Sequence, residues 1–344
     1  MWPQGFNPAP PPSGKLPMRA AVLVVMLLLA SSAVADEAPA GPGEVEVGLY
    51  LIDITSLDEQ ENSFTVELDV ISNWVDPLRG HDEGKIVLRD AAAEQYLDAG
   101  WLPELLITNA SVGARLGRLH VVVHEDGTVI SRLRMEAVVR TKLDFRAYPF
   151  DKQSLKIEIE SYAYDTQQLR LAVNRKFSGF DRSFEMPEWT VKGVREQVFD
   201  NHRVQEGRDF SRLEYTIDIE RLSGYYLWKV ILPLALIAAI SWVVFWMSTD
   251  ALGRRAAISS TGMLTVIAYQ FIIAGSLPRF PYLTLLDKIA LMVLILIALT
   301  MLENLISSRM TEAGRFRLDR ACRLVFPLAL LIGLGTLLLP VMAG

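Results

Sequence analysis

The sequence predicts an all-β extracellular sandwich followed by a four-helix transmembrane bundle. Three observations carry that expectation. From about Glu44 to Arg221 the chain holds short runs with a period of two and no long apolar run. At Leu222 the composition turns abruptly apolar. Beyond it come four apolar stretches, each near the roughly 20 residues of helix that a bilayer requires.

The chain opens on a Pro- and Gly-rich segment. Lys15 and Arg19 then precede the apolar run Ala20 to Ala30 and the triplet Ala33-Val34-Ala35. A basic n-region, a short h-region and an A-x-A site mark residues 1–35 as a cleavable signal peptide, so the chain from Asp36 onward is exported. In residues 36–221 the segments VEVGLYLIDI, FTVELDVISNW, LHVVVHEDGTVISRLRMEAVV, LKIEIES, LRLAV and LEYTIDIERL read as strands. Asp126-Gly127 between two of them signals a type I′ hairpin. Short strands separated by turns mean a sandwich.

Residues 222–344 divide into helices at about 225–247, 255–275, 283–306 and 324–342. Aromatic residues bound the first, and Pro233 should kink it. Arg254 and Arg255 lie in the first link, and Arg309, Arg315, Arg317, Arg320 and Arg323 in the third; the second holds only Arg279. The positive-inside bias therefore puts the first and third links in the cytoplasm and the sandwich outside.

Composition excludes several classes. A net charge of -6 gives no reason to expect nucleic acid. The single cysteine, Cys322, rules out an intrachain disulfide. His120 and His124 sit four apart on an expected strand, about 13 Å, too far to share a metal. There is no nucleophile elbow, H-E-x-x-H, P-loop or glycine fingerprint, so neither an enzyme nor a cofactor is expected.

The second apolar stretch is the unusual one. Ser259, Ser260, Thr261, Gly262, Thr265, Gln270 and Gly275 interrupt it. Steps of four and three place Ala257, Thr261, Leu264, Ala268, Phe271 and Gly275 on one stripe. Several copies around an axis would form a tube of Thr hydroxyls closed by rings of Leu264 and Phe271, and apolar constrictions gate by dewetting. The same Ser, Thr and Gly residues also suit helix–helix packing, as in a transporter or a non-conducting receptor.

Several motifs punctuate this arrangement: Trp74-Val75-Asp76, Trp101-Leu102-Pro103-Glu104, the loop Leu143 to Gln153 with its Tyr148-Pro149-Phe150-Asp151 core, Tyr225-Tyr226-Leu227, Leu277-Pro278, and Arg323-Leu324-Val325-Phe326-Pro327. In order and spacing the chain resembles the pentameric ligand-gated ion channels, or Cys-loop receptors, most closely their prokaryotic branch. Thr141 and Leu155 stand where animal members carry the loop cysteines. The resemblance implies a homopentamer in the inner membrane, with the sandwich periplasmic, lipid around it, permeant inorganic ions through it, and a small-molecule agonist bound between subunits. It places Glu160, Tyr162, Phe199 and Phe210 at the agonist site; aromatics with a carboxylate suit a cationic amine. It places Asp151, Arg221, Asp58, Glu59, Arg279 and Pro281 at the boundary that couples sandwich to membrane. At the pore mouth, the position of the glutamate of cation-conducting members is occupied here by Arg254 beside Arg255, with Gly253 before them and Asp250 the nearest carboxylate. Whole-chain resemblance points to cations and the mouth itself to anions; counting back from Ala257, either Arg254 or Gly253 faces the axis.

Overall fold

A computed structural model describes residues 43–343 apart from 82–83, 112, 185, 249–251 and 276–280. The expected signal peptide, Asp250, Leu277-Pro278 and Arg279 lie outside the described residues.

Among these, eleven strands form two packed sheets. The larger has the order β3(Ile86–Arg89), β5(Arg115–Val123), β6(Thr128–Arg140), β2(Ser63–Val75), β1(Gly43–Asp58) and β8(Leu169–Val173), with β9(Gly179–Phe180) also beside β1. The smaller has the order β10(Trp189–Arg203), β11(Arg208–Arg221), β7(Lys152–Ser161) and β4(Leu105–Ile107). The period-two pattern explains the layering. Val45, Val47, Leu49 and Leu51 of β1 and Leu155, Ile157 and Ile159 of β7 all point into one core. Trp74 and Trp101 belong to it too, edge to face at 6.1 Å.

The β5–β6 turn differs from the type I′ expectation. Only Gly127 has a positive φ, +80°, and His124 N–H donates to Thr128 O at 2.9 Å. The loop is therefore Glu125-Asp126-Gly127, with the glycine alone left-handed. A side chain there would collide with the Asp76 carbonyl oxygen.

Among the described residues, four helices are long and apolar enough to cross a membrane. The first span, Gly224–Trp246, contains a π-helical turn at Leu227–Ile231. Pro233 has no N–H to offer the carbonyl of Lys229 four residues back. That carbonyl accepts the Tyr269 hydroxyl instead, at 2.7 Å. The second span is Leu252–Ala274 and the third Leu285–Ser307. The fourth, Glu312–Ala343, starts well before the expected residue 324. Its first three turns carry Arg315, Arg317, Asp319 and Arg320, so hydropathy misses them although they are helical. Arg323 on this helix donates to Phe245 O at 2.9 and 3.1 Å, finishing the C-terminus of the first span.

Candidate functional site

Three places gather the residues singled out from the sequence. The first is the second span. Ala257, Thr261, Leu264, Ala268, Phe271 and Gly275 are all exposed on the protomer, Leu264 at 68% and Phe271 at 74%. The opposite face is buried. Ser259 accepts a hydrogen bond from Asn304 Nδ2 at 3.0 Å, Val266 is fully covered, and Gly262 leaves room for Ser241 of the first span. The polar residues thus divide by face: Ser259 and Gly262 join helices, while Thr261 lies on the open stripe. Arg254 and Gly253 are exposed. Arg255 is buried and turned the other way, its Nη2 2.7 Å from Asp319 and 3.5 Å from Glu303. Sequence reasoning missed this trio. The available signal was Glu303, a carboxylate in the third span, since an intramembrane acid needs a partner.

The second place is the junction below the sandwich. Arg221 has a wholly buried side chain. Its Nε donates to Asp151 Oδ1 at 2.7 Å, Nη2 to Glu59 Oε1 at 2.7 Å, and Nη1 to Glu188 Oε2 at 3.2 Å. Its guanidinium carbon also lies 4.1 Å from the Trp189 ring centroid and 4.8 Å from that of Tyr148. Burial raises the Glu59 pKa above the ordinary 4.5, against the pull of Arg221. Burial likewise raises that of the Tyr148 hydroxyl. Asp58 stands apart: it is exposed, and its Oδ1 caps its own turn by accepting from the Gln60 and Glu61 N–H groups. Pro281 is exposed. Glu188 and Trp189 carried no motif in the sequence and were missed.

The loop Leu143–Gln153 reaches the third span through its backbone. Leu285 N–H donates to Arg146 O at 3.0 Å and Leu286 N–H to Tyr148 O at 3.2 Å. Thr284 and Asp287 complete that helix start as a reciprocal capping box.

The third place is the outer face of the smaller sheet, beneath the β10–β11 hairpin. Glu160 on β7 pairs in register with Arg212 on β11. Glu160 accepts from Arg212 Nε, from Arg203 Nη2 at 2.9 Å and from Asn201 Nδ2 at 2.8 Å, and is 1% exposed. Phe210 is fully buried, with the Arg203 guanidinium carbon 3.7 Å from its ring centroid. Tyr162 is 67% exposed and Phe199 sits at the rim of the sheet, 36% exposed. Glu160 and Tyr162 line one open cavity with Arg203 and Arg212, Phe210 lies buried beneath Arg203, and Phe199 does not line that cavity. The cavity holds a positive charge supplied by the chain itself. Arg203 and Arg212 were not singled out from the sequence, because arginine in a strand hairpin reads as solvated surface.

Residues 32–223 match the family described as the neurotransmitter-gated ion-channel ligand binding domain. The chain is 29% identical over 303 residues to the proton-gated ion channel of Gloeobacter violaceus, covering 87% of this chain and 82% of that protein. It is 24% identical over 268 residues to gamma-aminobutyric acid receptor subunit beta-4 of Gallus gallus, covering 76% of this chain and 54% of that subunit, about half its length. A family match over more than half the chain, on an extracellular ligand-binding sandwich followed by four spans, identifies the chain as a member of the neurotransmitter-gated, Cys-loop-type ion channels, prokaryotic branch: a ligand-gated ion channel subunit and not an enzyme.

Proposed function

We propose that five copies of this chain ring an axis in the inner membrane, with the sandwich in the periplasm, and that the second span of each lines a cation-conducting pore. Ala257, Thr261, Leu264, Ala268, Phe271 and Gly275 form the wall. The observation that carries this reading is the division of the second span into two faces. A helix with large apolar side chains exposed on one stripe, and its neighbours packed against the other, has that stripe left for further copies of itself. The fourth span exposes Leu324, Leu328, Leu331 and Leu339, which suits lipid.

The cation reading rests on the whole-chain resemblance, against the basic pair at the cytoplasmic mouth. Each protomer brings Arg254 and Arg255 there, but Arg255 is held by Glu303 and Asp319. That leaves Arg254 as the exposed charge of the pair, and its direction at the mouth sets the ring that ions meet. Small-molecule agonist binds between subunits beneath the β10–β11 hairpin; closure there moves the Arg221 cluster, and through the loop at Tyr148 the third span and the pore.

Planar-bilayer recording of the purified protein under a salt gradient tests the reading. Wild type should reverse near the cation equilibrium potential, and Arg254→Glu should steepen that selectivity. Reversal at the chloride value overturns cation conduction. Absence of current in the presence of every agonist tried, with particles lacking five-fold symmetry in images, favours a non-conducting receptor.

A further inference from the structure

Strand alternation places Glu160 and Phe210 on the outer face of the smaller sheet, the side away from the core. Residues on such a face are normally half solvated. Here Glu160 is 1% and Phe210 0% exposed, so something covers both. Arg203, at the end of β10, touches both, beside Asn201, which lies opposite Phe210 in the ladder and donates to Glu160. Its Nε and Nη2 reach Glu160 Oε2 at 3.1 and 2.9 Å, its Nη2 also reaches Ser161 O at 2.9 Å, and its Nη1 reaches Tyr162 O at 3.4 Å and Glu206 at 3.1 Å. Its guanidinium carbon lies over the Phe210 ring, 3.7 Å from the centroid. Every nitrogen of the guanidinium is directed at an acceptor. A carboxylate, two carbonyls and an aromatic face are the complement of a small organic cation.

We propose that Arg203 is a tethered occupant of this cage: the hairpin's own guanidinium fills the place of a ligand cation, holds the hairpin down without agonist, and excludes small free amines. The inference rests on reading the hairpin as the agonist cap. On this proposal a cationic amine is not the ligand of the wild-type cage, because Glu160 is already balanced by Arg203 and Arg212. It also makes Arg203 the residue that sets ligand class: an agonist of the wild-type chain binds outside the guanidinium, against groups such as Tyr162, Thr108 and His202, or displaces it. Removing Arg203 leaves a cation-shaped hole lined by Glu160 and Phe210.

The test is hydrogen exchange of the hairpin in the full chain purified in detergent, with methylguanidinium and propylammonium as probes. In wild type neither probe should change exchange at residues 199–210. In Arg203→Gly the hairpin amides should exchange on the order of tenfold faster or more, because the contacts that close it are gone, while β1 and β2 stay protected. Millimolar methylguanidinium should restore the protection in Arg203→Gly but not in Arg203→Gly with Glu160→Gln. Where Arg203→Gly fails to fold, Arg203→Gln keeps the stem and should show the faster exchange. Unchanged hairpin exchange in the single variant, or no response to methylguanidinium, overturns the proposal and leaves the channel reading intact. Restored protection in a protein that passes no current instead counts against the channel reading and supports this one.

Discussion

Replacing Arg221 by Met tests the junction most directly. The stem is kept and the charge is lost. Asp151, with a side chain 1% exposed, then keeps Gln153 Nε2 at 2.7 Å but loses both contacts to the guanidinium, at 2.7 and 3.3 Å. Glu59 and Glu188 lose the same partner and are left facing it as like charges. Breaking a buried pair from one side costs about 3–5 kcal/mol, or two to four powers of ten in the folded population at about 1.4 kcal/mol each. For a domain of this size that is a fall of about 6–20 °C in the unfolding midpoint. Glu188→Gln is the internal control. Its carboxylate is 59% exposed, and an exposed pair is worth about 0–1 kcal/mol. Asp151→Asn should lie between the two. The assay is thermal unfolding of the solubilised full chain followed by tryptophan emission, to which Trp189, stacked on Arg221, contributes. If Arg221→Met falls within about 1 kcal/mol of Glu188→Gln, the cluster contributes no more than surface charge and the argument from burial is wrong.

Leu264→Ser should hydrate a bulky apolar position of the stripe and give current without agonist, or activation at lower agonist. Unchanged dose–response curves for both Leu264→Ser and Phe271→Ala would take these residues out of the gate. Glu59 gives a pH signature. Its native pKa is raised above 4.5 by burial, so its contribution to stability is fully present below the unfolded value and is lost as pH rises through the native one. Glu59→Gln, neutral throughout, should lack that step: the variant's midpoint relative to wild type rises as pH goes from 4 to 7. A relative midpoint that falls over that range would mean the contact with Arg221 outweighs desolvation.

The layers of the molecule were legible in the sequence because burial on one face imposes a period. β1 and β7 alternate, and the second span repeats every three to four residues, so both were readable without contacts. What was lost lay where one residue type serves two environments. Charges in the first turns of the fourth span hid a helix start. Arg255 beside Arg254 read as one basic pair, although neighbouring residues on a helix point about 100° apart, and one is buried while the other is exposed. Arg203 and Arg212 read as surface until strand register brought them opposite Glu160. Glu160, Tyr162 and Phe210 were found by resemblance. That the charge among them comes from the same chain is a long-range fact, separated by more than 40 residues from β7, that local pattern does not encode.

The backbone bonds between the loop at Tyr148 and the third span have a consequence of their own. A helix begins with donors that nothing within it can satisfy. In the third span Thr284 Oγ1 takes the Asp287 N–H, while the N–H groups of Leu285 and Leu286 go to carbonyls of the sandwich loop. The helix start is therefore finished in part by another part of the protein, through two bonds that no side-chain deletion removes. Swapping sandwiches between related subunits should then depend on whether the incoming loop holds its carbonyls in the same two positions, whatever residues it carries. Cutting the chain between the halves would leave two open N–H groups at the water boundary of the membrane part. The joint works as a fitting defined by shape, tolerant of sequence drift on either side and intolerant of an inserted residue.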